Sequence, residues 1–257
     1  MKLHTEVTGQ GPDLVLLHGW AAHSAVWSLI REKLNQHFRV TSIDLPGHGQ
    51  SEYQPSSLSS LSALATAVLE AAPKNAYWMG WSLGGLVAQQ VALLKPSQVT
   101  KLILVASTAK FVSSDDWPHA VAAQVFSDFY ESLRSDAQAS LLRFIALQTR
   151  GSQSAGDDAR QLKKMLLQPT PNEQALEAGL KILQANDLRS ELKNILCPVL
   201  LLGGERDTLL PVSALMVMQA MLENAQCDVI AKAGHAPFLS HADDFLNIVN
   251  QFLLEVK

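Results

Sequence analysis

The sequence is short of charge of either sign and has no long apolar run, and both shortages exclude classes of protein. Charged residues make up 17% of the 257 positions and the net charge is -4. Nucleic-acid binding needs a clear excess of lysine and arginine, which this chain lacks. The longest apolar runs, such as 14–17 and 199–202, are far below the roughly 18 residues of a membrane-spanning helix.

The sequence also has few cysteines and lacks several common cofactor motifs. Cys197 and Cys227 are the only cysteines, and their spacing does not match the paired pattern of a metal or redox site. The chain contains no phosphate-binding glycine loop, no dinucleotide fingerprint and no HExxH zinc motif. We therefore expect two reduced cysteines, no metal and no organic cofactor. The N-terminus, MKLHTEVTGQGPD, lacks the apolar stretch of a secretory signal, which predicts a cytoplasmic protein.

Short β-rich segments alternate with longer segments of helical periodicity along most of the chain. The strand-like segments are 13–17, 38–43, 76–79, 101–105, 198–202 and 227–230. Because parallel strands need crossover helices, this alternation predicts an α/β fold whose mostly parallel sheet is flanked by helices on both faces. Ligands of such sheets bind at the carboxyl ends of the strands.

The alternation stops in the middle of the chain. Between 111 and 186 no strand pattern is convincing, whereas helical spacing is plain in two groups of apolar residues: Phe126, Phe129, Tyr130 and Leu133, then Leu176, Leu180 and Leu183. We predict that 1–110 and 187–257 form the core and that 111–186 is a helical lid inserted within the single domain.

One serine stands between two glycines at the end of a predicted strand. In WMGWSLGGL, Gly80 and Gly84 flank Ser82, the strand ends at Met79, and a helix begins near Leu83. A G-x-S-x-G match occurs by chance in many chains, but this strand, turn and helix order is the setting of a nucleophilic serine. A serine alcohol is a poor nucleophile at neutral pH, so it needs a basic histidine and an acid that orients that histidine.

The two partners of such a serine are found beyond the last two predicted strands. Asp207 lies in GGERD and His235 in AGHAPF, each just after a strand. Either residue taken alone also fits a loop cap or a packing role. The order serine, aspartate, histidine is the one found in α/β-hydrolases, which favours a catalytic triad. Asp44 and Asp187 are alternative acids, but only Asp207 follows the strand before the histidine strand.

Hydrolysis by serine also needs two backbone donors for the oxyanion. One comes from the residue after the nucleophile, Leu83, and the other from an early loop after a strand. The segment LHGW places Trp20 in that loop, and Gly19 allows the turn. We therefore predict that the N–H groups of Trp20 and Leu83 form the oxyanion hole, and that His18 belongs to the loop architecture.

The motifs LLHGW, DLPGHGQSE, GWSLGG, GGERD and AGHAPF, in this order, resemble the α/β-hydrolase superfamily across essentially the whole chain. HGW, GWSLGGLVA, RFIALQT and KAGHAPF are similar, more narrowly, to the pimeloyl-[acyl-carrier protein] methyl ester esterase family of bacterial biotin synthesis. This resemblance implies a serine carboxylesterase that frees a carboxylate from a methyl ester borne by acyl-carrier protein, through an acyl-enzyme on Ser82. The implied triad is Ser82, Asp207 and His235, and the implied substrate site comprises Trp20, Ser82, Leu83, Phe144, Ile145, Ala146, Leu147, Gln148 and His235.

The resemblance also implies a surface for the carrier protein, which is strongly acidic in this family. Between 137 and 164 the chain has a local charge of +3, from five basic and two acidic residues. Arg143 and Arg160 match basic positions of the family, although Gly156 stands where another arginine is expected. A solvated helical face is the alternative interpretation of these charges. A monomer is expected.

Three other functions stay open at this point. One is a generalist short-chain carboxylesterase, a second is a carbon-carbon bond hydrolase of the same fold, and the third is a ligand-binding receptor that retains the triad without turnover. Dehalogenases and epoxide hydrolases of this fold use a carboxylate nucleophile, so Ser82 disfavours them. An ester assay with a burst measurement separates a receptor from an enzyme.

Overall fold

The computed structural model describes residues 2–166 and 169–255. Within these ranges the chain forms one seven-stranded sheet. Its strands are β1 Thr5–Thr8, β2 Asp13–Leu17, β3 Arg39–Ile43, β4 Ala76–Trp81, β5 Val99–Val105, β6 Val199–Gly204 and β7 Ala225–Ile230. The helices are α1 Ser28–Leu34, α2 Leu61–Ala71, α3 Leu83–Leu94, α4 Ala123–Ser135, α5 Ala137–Thr149, α6 Ala155–Leu166, α7 Glu173–Ala185, α8 Val212–Met221, α9 Pro237–Ser240 and α10 Ala242–Leu254.

The strand order across the sheet is β1-β3-β2-β4-β5-β6-β7. Strands β2 to β7 pair in parallel, and β1 pairs with β3 in the antiparallel direction. The prediction of an α/β-hydrolase fold with a mostly parallel sheet is confirmed. Because all parallel strands point the same way, the loops after β2, β4, β6 and β7 meet at one edge of the sheet.

The sheet is buried on both faces by apolar side chains that alternate along each strand. In β2, Val15 and Leu17 belong to one hydrophobic cluster, while Leu14 and Leu16 belong to the other. Helices α2, α3 and α8 cover the first face, and α1, α9 and α10 cover the second. This two-sided burial explains why the central strands are continuous apolar runs.

The first strand, β1, lies outside the six strands that the sequence pattern predicts. Its sequence, TEVT, has a single apolar residue, Val7, and that side chain is itself exposed. An edge strand needs no apolar run, because one side of its backbone faces solvent and its pairing with β3 supplies the hydrogen bonds. Periodicity alone gives no signal for such a strand.

Helices α4 to α7 occupy the chain between β5 and β6. Within the described part of 111–186, the β structure is limited to isolated bridges, at Val112 with Val121 and at Ser114 with Trp117. Residues 167 and 168 of the predicted lid lie outside the described residues. The apolar faces of α4 and α7 pack on the cluster that also contains α2 and α3, whereas Leu162 and Leu166 of α6 join the opposite cluster.

The chain enters and leaves this helical segment at one clasp of charged residues. Lys110 and Asp187 form an antiparallel bridge, and their side chains lie 3.3 Å apart. Arg189 forms ion pairs with Asp187 at 2.7 Å and with Asp116 at 2.8 Å. Its guanidinium group also lies 5.3 Å from the ring centroid of Trp117. We call Lys110, Asp116, Asp187 and Arg189 the charged clasp.

None of the described helices combines the length and the apolar composition that are needed to span a membrane.

Candidate active site

Ser82 occupies a strained turn between β4 and α3. Its backbone has φ 53° and ψ -115°, a conformation that residues with side chains rarely adopt. The strain is held by hydrogen bonds on both sides of the residue: the Ser82 N–H donates to the carbonyl of Val105 at 2.9 Å, and its carbonyl accepts from the Ser107 hydroxyl at 2.8 Å. Backbone strain of this kind is found most often at functional sites.

The glycines around Ser82 are required by close backbone contacts. A Cβ atom at Gly80 would lie 2.2 Å from the carbonyl oxygen of Gly84. A Cβ atom at Gly84 would lie 2.3 Å from the carbonyl oxygen of Leu17, in the neighbouring strand. Real Cβ atoms do not come this close to backbone oxygens, so both positions exclude side chains. The spacing of the G-x-S-x-G motif therefore has a steric cause.

His235 and Asp207 are brought together by the loops after β7 and β6. The Nδ1 atom of His235 lies 2.7 Å from Oδ2 of Asp207, and the two side chains are 2% and 1% exposed. The other carboxylate oxygen accepts the N–H groups of Leu209 at 2.8 Å and Leu210 at 2.9 Å. The carboxylate is thus oriented toward Nδ1 of the imidazole. The other ring nitrogen, Nε2, is the one available for proton transfer.

The backbone of His235 is held from two directions. Its N–H donates to the carbonyl of Gln148, at the end of α5, at 3.0 Å. Its carbonyl accepts the indole N–H of Trp81 at 2.8 Å. Trp81 is buried, and its role in fixing the histidine loop was not predicted from the sequence. The only signal was its position directly before Ser82.

Ser82 and His235 line the same pocket. Within the part of the chain that the structure describes, no hydrogen bond joins the Ser82 hydroxyl to the imidazole. Hydrogen bonds of this kind are often long in the absence of substrate and tighten when substrate binds. The arrangement brings a serine and a histidine that is paired with an aspartate to one cavity, and acyl transfer by a serine needs these three side-chain types.

Two segments that carry the predicted oxyanion donors lie beside Ser82: Leu83 follows it directly, and a Cβ atom at Gly19, the residue before Trp20, would lie 3.3 Å from Ser82 Cβ. Leu83 is the first residue of α3, where an N–H has no acceptor within the helix. Neither N–H has a hydrogen-bond acceptor among the described residues. The Trp20 N–H belongs to the same peptide group as the Gly19 carbonyl, which lies 2.8 Å from Nδ1 of His18. This peptide is therefore held by His18 from the side of the core.

The protonation state of His18 follows from its two contacts. Its Nε2 atom accepts the N–H of Leu45 at 2.9 Å, so the proton is on Nδ1 and is donated to Gly19. Burial lowers the pKa of His18 to about 3. His18 is thus a neutral structural residue that fixes the early loop, as expected for loop architecture rather than for a second base.

Two further buried polar groups surround His18. Burial lowers the pKa of His48 to about 4, and its ring centroid lies 5.4 Å from that of His18. The pKa of the Asp44 carboxyl is lowered, although burial alone would raise it, because the carboxylate accepts the N–H groups of Gln50 and Ser24. Asp44 therefore anchors two loops, since it accepts the N–H of Ser24 at 2.7 Å and that of Gln50 at 2.9 Å, and it is not one of the residues that line the pocket.

The pocket beside Ser82 and His235 is lined almost wholly by apolar side chains. It encloses about 580 Å³, including its open mouth. Its remaining lining residues are Trp20, Phe111, Val121, Val125, Phe126, Phe129, Phe144, Leu147, Leu180, Leu183 and Leu209. Most of these come from the helical segment between β5 and β6, so that segment forms the roof over the serine. A long apolar chain suits this lining better than a charged ligand.

The chain is similar to known proteins along almost its whole length. A family model described as alpha/beta hydrolase fold matches residues 12–242. The pimeloyl-[acyl-carrier protein] methyl ester esterase of Serratia marcescens is 45% identical over 253 residues, which cover 98% of each chain. The chain belongs to this esterase family. The esterase of the same name from Aeromonas salmonicida (strain A449) is 42% identical over 254 residues, or 98% of this chain and 100% of its own.

Solved structures support the fold of this esterase family member. The esterase from Exiguobacterium antarcticum superposes with a TM-score of 0.90 over 98% of this chain and 96% of its own, at 21% identity. Identity at that level concerns the fold alone.

Among the described residues, no group of three or more histidine, cysteine, aspartate or glutamate side chains could hold a metal ion.

The predicted substrate-site segment 144–148 divides between two faces of α5. In this esterase, Phe144 and Leu147 line the pocket, as expected for residues three apart on a helix. Ile145 is buried in the opposite hydrophobic cluster, Ala146 is exposed, and Gln148 contacts the His235 loop through its carbonyl. These three residues and Leu83 are outside the described pocket lining, and their substrate contacts stay predictions.

The pocket residues that the sequence did not predict come mainly from α4 and α7. Phe126 and Phe129 of α4, with Leu180 and Leu183 of α7, face the cavity. Their helical spacing is visible in the sequence. Nothing in that spacing distinguishes a face that packs against the core from one that lines a pocket beside the esterase's serine.

The two arginines that were expected to contact a carrier protein lie on the surface of the helical segment. Arg143 on α5 is exposed and its guanidinium donates to the hydroxyl of Ser132. Arg160 on α6 is exposed and pairs with Asp157 at 2.9 Å, so part of its charge is offset. Arg143 is next in sequence to Phe144 of the pocket lining, which places it near the roof of the pocket.

Proposed function

We propose that this chain is a serine carboxylesterase that hydrolyses the methyl ester of pimeloyl-[acyl-carrier protein] in biotin synthesis. The observation that carries the proposal is the buried pair of His235 and Asp207, 2.7 Å apart, beside an apolar pocket that Ser82 also lines. The similarity to esterases of that name supports the choice of substrate.

In the first half of the proposed reaction, an acyl group passes to the enzyme. His235 takes the proton of Ser82 as the hydroxyl oxygen attacks the ester carbonyl carbon. The N–H groups of Trp20 and Leu83 stabilise the oxyanion that forms. Collapse of the tetrahedral intermediate breaks the bond to the methoxy group, which leaves as methanol after His235 returns the proton.

In the second half, water releases the acyl group. His235 takes a proton from the water molecule, whose oxygen attacks the carbonyl of the acyl-Ser82 ester. The bond to Ser82 then breaks and the serine regains its proton, which leaves the free carboxylate. Asp207 keeps the imidazole in the required tautomer and stabilises its charged form throughout. These steps require no metal and no organic cofactor.

The helical segment 111–186 is proposed to act as the lid over this site. Its aromatic residues Phe126, Phe129 and Phe144 suit contact with the methylene chain between the ester and the carrier protein. A chain of this kind is stabilised by burial at about 25 cal/mol per Å² of apolar surface. The carrier protein itself would stay outside, at the mouth of the pocket.

The carrier protein is proposed to dock on the basic side of the lid. Arg143 lies beside the pocket lining, and Arg160, Lys163 and Lys164 follow on α6. An acidic partner is attracted to such a surface at long range and is oriented by it. The pairing of Arg160 with Asp157 weakens but does not remove this attraction, since the ion pair is highly exposed and a partner's carboxylates can compete for the arginine.

The proposal is tested by mass spectrometry of the carrier-bound ester before and after incubation. Wild type should remove the methyl group, and Ser82→Ala should lower turnover by about six orders of magnitude while the fold is retained. Ser97→Ala changes an exposed serine in the turn Pro96–Gln98 and is the matched control, which should keep full activity. Faster turnover of short soluble esters than of the carrier-bound ester would favour a generalist esterase instead.

A further inference from the structure

Gly179 on lid helix α7 is buried against both residues of the proposed oxyanion hole. A Cβ atom at this position would lie 2.9 Å from Cδ1 of Trp20 and 3.3 Å from its Nε1. The same atom would lie 3.5 Å from Cδ2 of Leu83. The first distance is shorter than real Cβ contacts, so any side chain at 179 requires the Trp20 indole or the helix to move.

The Trp20 indole has little room to move. Its N–H donates to the carbonyl of Leu176, also on α7, at 2.8 Å. Phe129 and Phe144 pack edge-on against the indole, with centroid distances of 5.4 and 4.8 Å. Three lid helices therefore hold one side chain of the core, which is 1% exposed.

The backbone of Trp20 is held from the opposite side. Its N–H shares a peptide group with the carbonyl of Gly19, which accepts from His18 in the core. A displacement of the indole by the lid would therefore rotate or shift this peptide against a fixed anchor. Oxyanion stabilisation depends steeply on donor position, because each donor must lie near 3 Å from the developing charge.

We propose that Gly179 is a positioning residue for the oxyanion hole, through its contact with Trp20. Because Gly179 has no side chain, α7 packs directly against the indole. This contact fixes the position of the Trp20 N–H relative to Ser82. The inference rests on the proposed serine mechanism, in which that N–H binds the oxyanion. Under this proposal, correct packing of the lid on Trp20 is required for fast hydrolysis as well as for substrate binding.

The test compares two glycine-to-alanine variants on lid helices. Gly179→Ala introduces the collision, whereas Gly156→Ala, on α6, places its methyl group where no atom lies within 4 Å. Both changes replace a helical glycine by a better helix former, Gly156 in the first turn of α6 and Gly179 in the interior of α7, and only the second change meets Trp20. A p-nitrophenyl ester gives kcat and KM, and a trifluoromethyl ketone gives the inhibition constant of a tetrahedral adduct.

For Gly179→Ala we expect kcat to fall by at least about tenfold, with KM changed less than about threefold. The inhibition constant of the ketone should rise by a similar factor, because its adduct also places an oxyanion in the hole. Gly156→Ala should stay within about twofold of wild type in all three quantities. Equal results for the two variants, or a loss confined to KM, would overturn the proposal.

A double-mutant cycle with Trp20→Ala separates this contact from general damage to the lid. Alanine has no side-chain atom beyond Cβ and therefore nothing in the place of Cδ1 and Nε1, so Gly179→Ala should cost less than about threefold in that background. The double variant also keeps the comparison available if Gly179→Ala alone folds poorly. An equal loss in both backgrounds would contradict a role through Trp20.

Failure of the substrate proposal is distinguishable from failure of this one. Wild type that hydrolyses the p-nitrophenyl ester but not the carrier-bound ester would contradict the proposed substrate and leave the glycine comparison valid. Retained hydrolysis in Ser82→Ala would contradict the serine mechanism, and the positioning role of Gly179 with it.

Discussion

Asp207 contacts His235 at 2.7 Å, and the same carboxylate accepts two backbone N–H groups through its other oxygen. Both oxygens of the carboxylate are thus committed before substrate arrives. The imidazole is oriented by a group that cannot rotate without losing three hydrogen bonds. We therefore expect the carboxylate at 207 to matter more for the tautomer of the His235 imidazole than for the position of the imidazole ring.

Asp207→Asn should therefore lower kcat by about four orders of magnitude with little change in stability. The asparagine amide fits the same space, but its NH₂ group toward Nδ1 would favour the wrong imidazole tautomer. Stopped assays on the p-nitrophenyl ester, with thermal unfolding as a check of the fold, measure both effects. Asp115→Asn changes an exposed aspartate and should be silent. A loss of less than about tenfold at 207 would assign the acid's role elsewhere.

The basic side of the lid predicts a substrate-dependent effect of charge reversal. Arg143→Glu combined with Arg160→Glu should lower kcat/KM for the carrier-bound ester by at least about tenfold, or about 1.4 kcal/mol. The loss should be larger at low salt, because salt screens the attraction of an acidic partner. Hydrolysis of the p-nitrophenyl ester should barely change, since that ester needs only the serine site and the pocket.

A matched pair of lysines controls for the change in net charge. Lys74 and Lys95 are exposed and lie before β4 and β5, at the opposite edge of the sheet from Ser82. Lys74→Glu with Lys95→Glu alters the net charge equally and should leave turnover of both esters near wild type. Equal losses on both esters for the arginine pair would indicate lid damage, and no loss on either would leave Arg143 and Arg160 as a solvated face.

The buried histidines predict that the protein becomes less stable as the solution is acidified. His18 and His48 have pKa values of about 3 and about 4 in the native state, because burial disfavours their charged forms. In the unfolded chain an ordinary histidine has a pKa near 6.5. Between about pH 6.5 and 4, only the unfolded state binds these protons, so the free energy of unfolding falls as pH falls. At pH 5 the loss is about 2 kcal/mol for each histidine.

Denaturant unfolding at a series of pH values measures this linkage. His48→Gln should reduce the number of protons taken up on unfolding near pH 5 by about one. His37→Gln is the control, because it replaces an exposed histidine outside the buried cluster. An unchanged pH slope in His48→Gln would mean that His48 is protonated in the native protein.

The charged clasp predicts a salt-dependent contribution to stability. Arg189→Gln removes the ion pairs with Asp116 and Asp187 at the base of the lid, so the melting temperature should fall by about 2–4 °C near 0.1 M salt. The difference from wild type should shrink toward zero near 1 M salt, where the Debye length is only about 3 Å. Arg134→Gln, an exposed arginine of α4, should show neither effect. A difference that is independent of salt would assign the loss to packing on Trp117.

The sequence by itself determined the order of the parallel strands along the chain, the turn at Ser82 and the family. These features depend on local periodicity, on glycine spacing and on the order of motifs, all of which are written along the chain. It also placed Asp207 and His235 after adjacent strands, because parallel strands bring their following loops to one edge. The polar edge strand β1 had no such local signal and came only with its pairing to β3.

Tertiary structure alone decided which lid residues face the pocket and what holds the site in place. Helix α5 is oriented so that Phe144 and Leu147 line the pocket, while Ile145 packs in the hydrophobic cluster on the opposite face of the sheet. The contact of Gly179 with Trp20 joins residues that are 159 positions apart by their numbers. These contacts depend on how the helices rotate and approach one another when the core packs. They join residues that are far apart in the sequence, so no local pattern carries that information.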